Sequence, residues 1–182
     1  MAETLYHYIN GARVNGTSGR TGDVFNPATG EGDSLCPYAS AQEGDSAVQA
    51  GLAAQLEWGA TAAPRRAAVI FKFRELLMQN TDKLAEIVGR EHGKTIEDAK
   101  GSIQRGLDVT EFACGIPHLL KGELSTNVGG GIDTYSMREA VGVVCGITPF
   151  NFPVMIPCWM GVMAIACGNA FITVSYTHLT LP

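Results

Sequence analysis

Residues 141–147, Val-Gly-Val-Val-Cys-Gly-Ile, form an unbroken apolar run that stops at Thr148-Pro149. A strand with no polar face has to be covered on both sides, as strands of parallel sheets are. Pro153 suits the first position of a following helix, where its missing N–H costs nothing, and residues 154–167 read as that helix. Strand, short connection and buried helix make half of a βαβ unit, so this stretch alone points to an α/β fold with a parallel sheet. In open sheets of that kind ligands bind beside the carboxyl ends of the strands. Asn151 is the one side chain of the connection with an amide to offer, and an amide N–H placed there can stabilise an oxyanion. On residue chemistry alone, an Asn that satisfies backbone groups of its own turn is the plainer reading.

The chain before this unit divides into a turn-rich start and a helical middle. Tyr8-Ile9-Asn10-Gly11 and Asn26-Pro27-Ala28-Thr29-Gly30-Glu31 are turn signals, with a short strand at Asp23-Val24-Phe25 between them. Ser40-Ala41-Gln42-Glu43 has the spacing of a capping box. Val48, Leu52 and Leu56 then recur at helical spacing as an inward face. A second helix starts at Pro64 with Val69, Phe73, Leu76 and Leu77 inward, and Arg65, Arg66, Lys72, Arg74 and Glu75 solvated. A third restarts at Asn80-Thr81, turns Leu84, Ile87 and Val88 inward and ends near Gly93. Thr95-Ile96-Glu97-Asp98 repeats the capping spacing and opens a long helix that must close near Pro117. Val128-Gly129-Gly130-Gly131 is a turn and lacks the spacing of a dinucleotide fingerprint. Residues 132–137 alternate as a half-exposed strand. Gly168-Asn169 ends the last helix, and Ala170-Phe171-Ile172 begins the next buried strand.

A length of 182 residues allows one domain with a sizeable core, and 46% hydrophobic against 17% charged residues places the chain among globular proteins. The net charge of -5 and the lack of charge blocks argue against non-specific nucleic-acid binding and against a membrane surface. Met1-Ala2-Glu3-Thr4-Leu5 has no basic segment leading into an apolar core, so no secretory signal is expected. Five cysteines at 36, 114, 145, 158 and 167, an odd number without metal spacing, fit reduced thiols in the cytoplasm. Cys145 and Cys167 are poor nucleophile candidates, because a cysteine buried away from positive charge is usually inert. His92 and His118 lack a second ligand at helical spacing, so no metal site is expected.

The motif Ile147-Thr148-Pro149-Phe150-Asn151-Phe152-Pro153 resembles the strand-to-helix motif of the aldehyde dehydrogenase superfamily. Glu91-His92-Gly93-Lys94-Thr95, Arg105-Gly106-Leu107 and Glu111-Phe112-Ala113-Cys114-Gly115-Ile116-Pro117-His118-Leu119-Leu120-Lys121-Gly122 resemble its CoA-acylating, methylmalonate-semialdehyde dehydrogenase branch. The resemblance runs from about residue 8 to residue 172. It implies the N-terminal part of an aldehyde dehydrogenase fold, with helices plus the start of a Rossmann-like parallel sheet. Residues 1–172 would then belong to the NAD-binding domain, with residues 123–140 in an oligomerisation arm.

Several roles follow from the resemblance. Asn151 becomes the amide donor to the developing oxyanion, while the backbone of Thr148 and Phe150, with Ile147 beside them, lies against the nicotinamide side of NAD. Arg105 becomes the holder of the substrate carboxylate, which a guanidinium grips bidentately; helical spacing alone leaves it on a solvated face. The nucleophilic cysteine and the general base fall beyond residue 182. The resemblance implies oxidation of malonate or methylmalonate semialdehyde with NAD, release of CO2 and acyl transfer to coenzyme A, in a homo-oligomer. A non-acylating semialdehyde dehydrogenase and a non-catalytic fragment that only binds a partner are the alternatives. After Ile172 the superfamily motif that holds the cofactor ribose does not appear. Thr173-Val174-Ser175-Tyr176-Thr177-His178-Leu179-Thr180-Leu181-Pro182 matches in full the translation of a transposase-library sequencing adapter, so residues 173–182 are expected to be a non-native tail.

Overall fold

Left-handed residues make the first reversal. Asn10 and Gly11, at φ 51° and 74°, close a two-residue hairpin. In the computed structural model, which describes residues 3–175, β1 (Glu3–Thr4) precedes the hairpin strands β2 (His7–Ile9) and β3 (Ala12–Val14). β4 (Thr21–Phe25) and β5 (Gly32–Pro37) are antiparallel, and β1 lies parallel to the far side of β5. The turn between β4 and β5 is held by Asn26, whose Oδ1 accepts from the N–H groups of Ala28 and Thr29.

Four helices follow: α1 (Ala41–Ala60), α2 (Ala63–Gln79), α3 (Thr81–His92) and α4 (Ile96–Cys114). Both halves of the box at Ser40 form: Ser40 Oγ accepts from Glu43 N, and Glu43 Oε2 accepts from Ser40 N at 2.7 Å. Glu43 Oε1 also accepts from Thr17 N at 2.8 Å, which ties α1 to the strands before it. These bonds hold its carboxyl at about 2, down from 4.5, with the Ser40 backbone N–H the largest cause; desolvation pulls the other way and loses. At the second box only the Thr95 half is made, with its hydroxyl accepting from Asp98 N. Gly93 ends α3 in the left-handed conformation, φ 82°, and donates to Gly89 O.

The core lies between α2, α3 and α4, with Ala67, Ile70, Leu77, Ala85, Val88, Ala99, Ile103 and Leu107 buried together. Two inward assignments and one outward assignment do not hold. Val48, Leu52 and Leu56 on α1 are exposed, Leu56 by 75%; Gly51 is the residue that meets the sheet, with Val143 and Ala170 within 3.5 Å of where a Cβ would stand. Val69, Phe73 and Leu76 on α2 are exposed as well, because α4 covers the Ile70–Leu77 side instead. Arg66, assigned to solvent, is 6% exposed: its guanidinium donates to Ala166 O at 3.0 Å, Gly59 O at 3.3 Å and Thr61 O. A cation on the second helix thus caps the end of α1 and of a helix a hundred residues on.

α5 (Ile116–Leu119) holds Pro117 in its first turn. An exposed two-stranded arm follows, β6 (Leu124–Ser125) with β7 (Thr134–Tyr135), turned by Asn127, Gly130 and Gly131 at positive φ. Residues 132–137 alternate in character but are exposed throughout, since no described element lies over either face.

β8 (Val143–Thr148) and β9 (Ala170–Ser175) pair in parallel, Val143 opposite Ala170 through Thr148 opposite Ser175. The crossover between them is α6 (Met155–Pro157), a π-helical turn (Cys158–Val162) and α7 (Met163–Ala166). It is not one regular helix, because Pro157 has no N–H to donate to Pro153 and the ladder is interrupted there. Asn169 locks the crossover to the sheet: its Oδ1 accepts from Val141 N and Gly142 N, and its Nδ2 donates to Ala164 O. β8 is covered on one face by the crossover and on the other only at its Val143 end, by α1. Gly146 and Thr148 are buried, whereas Cys145 and Ile147 are exposed, because among the described residues only α1 and the crossover pack on this pair. β9 carries three residues of the expected tail, Thr173 to Ser175; the rest of that tail, 176–182, lies outside the described residues.

Candidate active-site turn

The connection from β8 to α6 emerges at the carboxyl end of a parallel strand. Gly146 sets its approach: a Cβ there would stand 2.6 Å from Phe171 Cζ and 3.0 Å from Met160 Sδ, so only glycine lets β9 and the crossover close on the strand. Thr148, the last strand residue, is buried and donates its hydroxyl to Val174 O at 3.4 Å. Phe150 and Asn151 then face solvent. A turn bond runs from Ile156 N to Phe152 O, and the helix itself begins only at Met155 with Val154 before it, so Pro153 lies in the turn that leads into the helix rather than at its first position.

Among the described residues, the Asn151 amide has no hydrogen-bond partner. It does not serve its own turn, as Asn26 and Asn169 serve theirs, so the plainer reading of this side chain lacks its contact. Ile147 is 56% exposed on the open face of β8, next to the turn in sequence.

Two residues hold the turn from below: His92, weighed in the sequence only as a metal ligand, and Lys94, which its chemistry did not single out. The His92 ring stacks on Phe150 at 6.4 Å between centroids, with 23° between planes. The Lys94 ammonium sits 4.1 Å from the centroid of Phe152. Both belong to Glu91-His92-Gly93-Lys94-Thr95, and the left-handed Gly93 between them makes the reversal.

Arg105 is exposed on α4, as helical spacing alone indicated. Its carbonyl accepts from Trp159 Nε1 at 3.3 Å, so the turn of α4 that carries Arg105 is fastened to the helix leaving the Asn151 turn. Trp159 is a further contact that the sequence did not announce.

The cysteines offer no nucleophile here. Burial pushes the Cys114 and Cys158 thiols up. Cys145, placed inside the strand by its sequence, is exposed instead because α1 covers the face it occupies only at the Val143 end. No group of three or more His, Cys, Asp or Glu among the described residues could hold a metal ion. No described helix is long and apolar enough to cross a membrane.

The aldehyde dehydrogenase family pattern matches residues 14–177. The chain belongs to the aldehyde dehydrogenase family. Among its relatives, the malonate-semialdehyde dehydrogenase of Pseudomonas aeruginosa is 48% identical over 169 residues, which are 93% of this chain and 34% of the relative. A Sinorhizobium meliloti 1021 protein, assigned as a methylmalonate-semialdehyde dehydrogenase and solved with NAD, superposes with a TM-score of 0.93 at 55% identity, over 97% of this chain and 36% of that one. The methylmalonate-semialdehyde dehydrogenase of Oceanimonas doudoroffii gives 0.92 at 48%, over 96% and 36%. This aldehyde dehydrogenase chain therefore spans about a third of the length of such relatives, and its fold is that of their N-terminal portion.

Proposed function

We propose that this chain is part of an NAD-dependent, CoA-acylating dehydrogenase of malonate or methylmalonate semialdehyde, with Asn151 as amide donor to the oxyanion. The observation that carries the reading is the unengaged Asn151 amide at the carboxyl end of β8, in a chain about half identical to proteins named for these semialdehydes. A donor already in place acts on charge as it develops, and such a donor is worth about 10²–10³ in rate.

NAD supplies the hydride acceptor when bound. The exposed Ile147 and Phe150 at the carboxyl end of β8, with the buried Thr148 between them, support a nicotinamide contact there. The Arg105 guanidinium, free in solvent on α4, takes the substrate carboxylate and orients the aldehyde. The arm of residues 123–140, exposed along its length, joins protomers of a homo-oligomer. The nucleophilic cysteine and the general base are not among these residues. The 182-residue chain alone is therefore expected to make no NADH.

The test starts from the genomic sequence after codon 172. The uninterrupted reading frame, expressed and supplied with malonate semialdehyde and NAD, is expected to form NADH and acetyl-CoA only when CoA is present at catalytic turnover. Equal turnover without CoA, with a free acid as product, would replace the acylating reading with the non-acylating one. NADH formation by the 182-residue chain itself would refute the division of labour proposed here.

A further inference from the structure

We propose that Lys94 is a positioning residue for Asn151, holding the turn in register with the α4 helix that carries Arg105. The turn offers few polar groups of its own. Pro149 and Pro153 have no N–H to give, and the Asn151 amide engages no described residue. The turn's two aromatic rings are therefore its handles. Lys94 reaches Phe152 with its ammonium 4.1 Å from the ring centroid, and His92 stacks on Phe150.

Lys94 is itself fixed from the other side. Its ammonium donates to Ser102 Oγ at 3.3 Å and lies 3.6 Å from Asp98 Oδ2. Asp98 and Ser102 are successive turns of α4 on the way to Arg105. The Lys94 side chain is only 10% exposed, which strengthens an ion–quadrupole contact relative to one in water. One cation thus bridges the start of α4 and the ring that follows Asn151. The distance between the proposed amide donor and the proposed carboxylate holder depends on that bridge, together with the Trp159 bond to the Arg105 carbonyl.

The proposal rests on the dehydrogenase reading for its catalytic meaning, but the contact is testable without turnover. In the 182-residue chain, nuclear magnetic resonance should show the Lys94 Hε protons shifted upfield by the Phe152 ring, a displacement lost in Phe152→Leu. Lys94→Met keeps the aliphatic stem and removes the charge. It should speed amide exchange at Ile156, whose N–H donates to Phe152 O, about ten- to thirtyfold, leave Ile103 and Leu107 on α4 unchanged, and be largely rescued in Lys94→Arg. The double variant Lys94→Met with Phe152→Leu should be no faster than either single one. Should Lys94→Met not fold, the ring-current shift and the Phe152→Leu variant still decide. An unshifted Lys94, additive effects, or exchange that rises equally through α4 and the turn would each overturn the proposal. Loss of activity elsewhere in the enzyme would leave these readouts unmoved, so failure of the functional reading is distinguishable.

Discussion

Replacing Arg66 with Met should unfasten two helix ends at once. Arg66 is 6% exposed, and its guanidinium donates to three carbonyls, one of them, Ala166 O, at the end of the crossover helix. A hydrogen bond to a charged group contributes about 1.5–3 kcal/mol. Three bonds from one side chain do not add in full, since burying the cation opposes them. Met fills much of the volume but offers no donor, so the loss is the bonds plus at least one carbonyl left without a partner, about 3–5 kcal/mol. For a chain of this size each kcal/mol moves Tm by about 2–4 °C, giving a fall of about 6–20 °C. Thermal unfolding followed by circular dichroism reads it directly. Arg66→Lys, with a point charge in place of the planar fork, should recover less than half. A Tm for Arg66→Met within about 2 °C of the parent would show that the three carbonyls are served by water and that this cation does not clasp the helices.

Four further outcomes are expected. In the uninterrupted frame, Asn151→Ala should slow single-turnover NADH formation by about 10²–10³ with NAD affinity retained; normal hydride-transfer rates would end its catalytic assignment. Arg105→Leu there should cost carboxylate-bearing semialdehydes about ten- to a hundredfold in kcat/KM and propanal little, whereas equal losses would make Arg105 structural. Glu43 has a folded pKa of about 2 against an ordinary 4.5, so its stabilisation is complete above 4.5 and disappears as pH falls through about 2; Glu43→Gln should flatten the acid limb of the stability curve in that window, and an unchanged limb would contradict the cap. Gly146→Ala should destabilise by about 1–3 kcal/mol through the clash with Phe171, with Phe171→Leu restoring most of it in chemical denaturation.

Local structure was legible in the sequence because its causes are local. Asn10-Gly11, Ser40 with Glu43, Pro64 and Gly93 each set the backbone through their own side chain or lack of one, and each stands where the sequence put it. The parallel pair followed from one apolar run. Burial was the weaker inference. Helical spacing at Val48, Leu52 and Leu56 reveals an apolar stripe but not what covers it, and here no described element does. Arg66 was misplaced for the opposite reason: a charge reads as solvated until three carbonyls from distant segments converge on it. The ring contacts of His92 and Lys94 were not visible, because their partners, Phe150 and Phe152, come close solely through the fold.

The partly uncovered face of the β8–β9 pair has a practical meaning for anyone handling the isolated chain. Among the described residues the two strands bond only to each other, so each presents an outer row of backbone donors and acceptors. Cys145 and Ile147 stand exposed on the first of these strands, and the Val48–Leu56 stripe lies uncovered on α1, the helix packed against the pair. Open strands of this kind template the addition of further strands, and a net charge of -5 offers only modest colloidal repulsion. The working lifetime of a purified sample is then set by concentration and storage time, and by the redox state of one thiol, more than by its melting temperature.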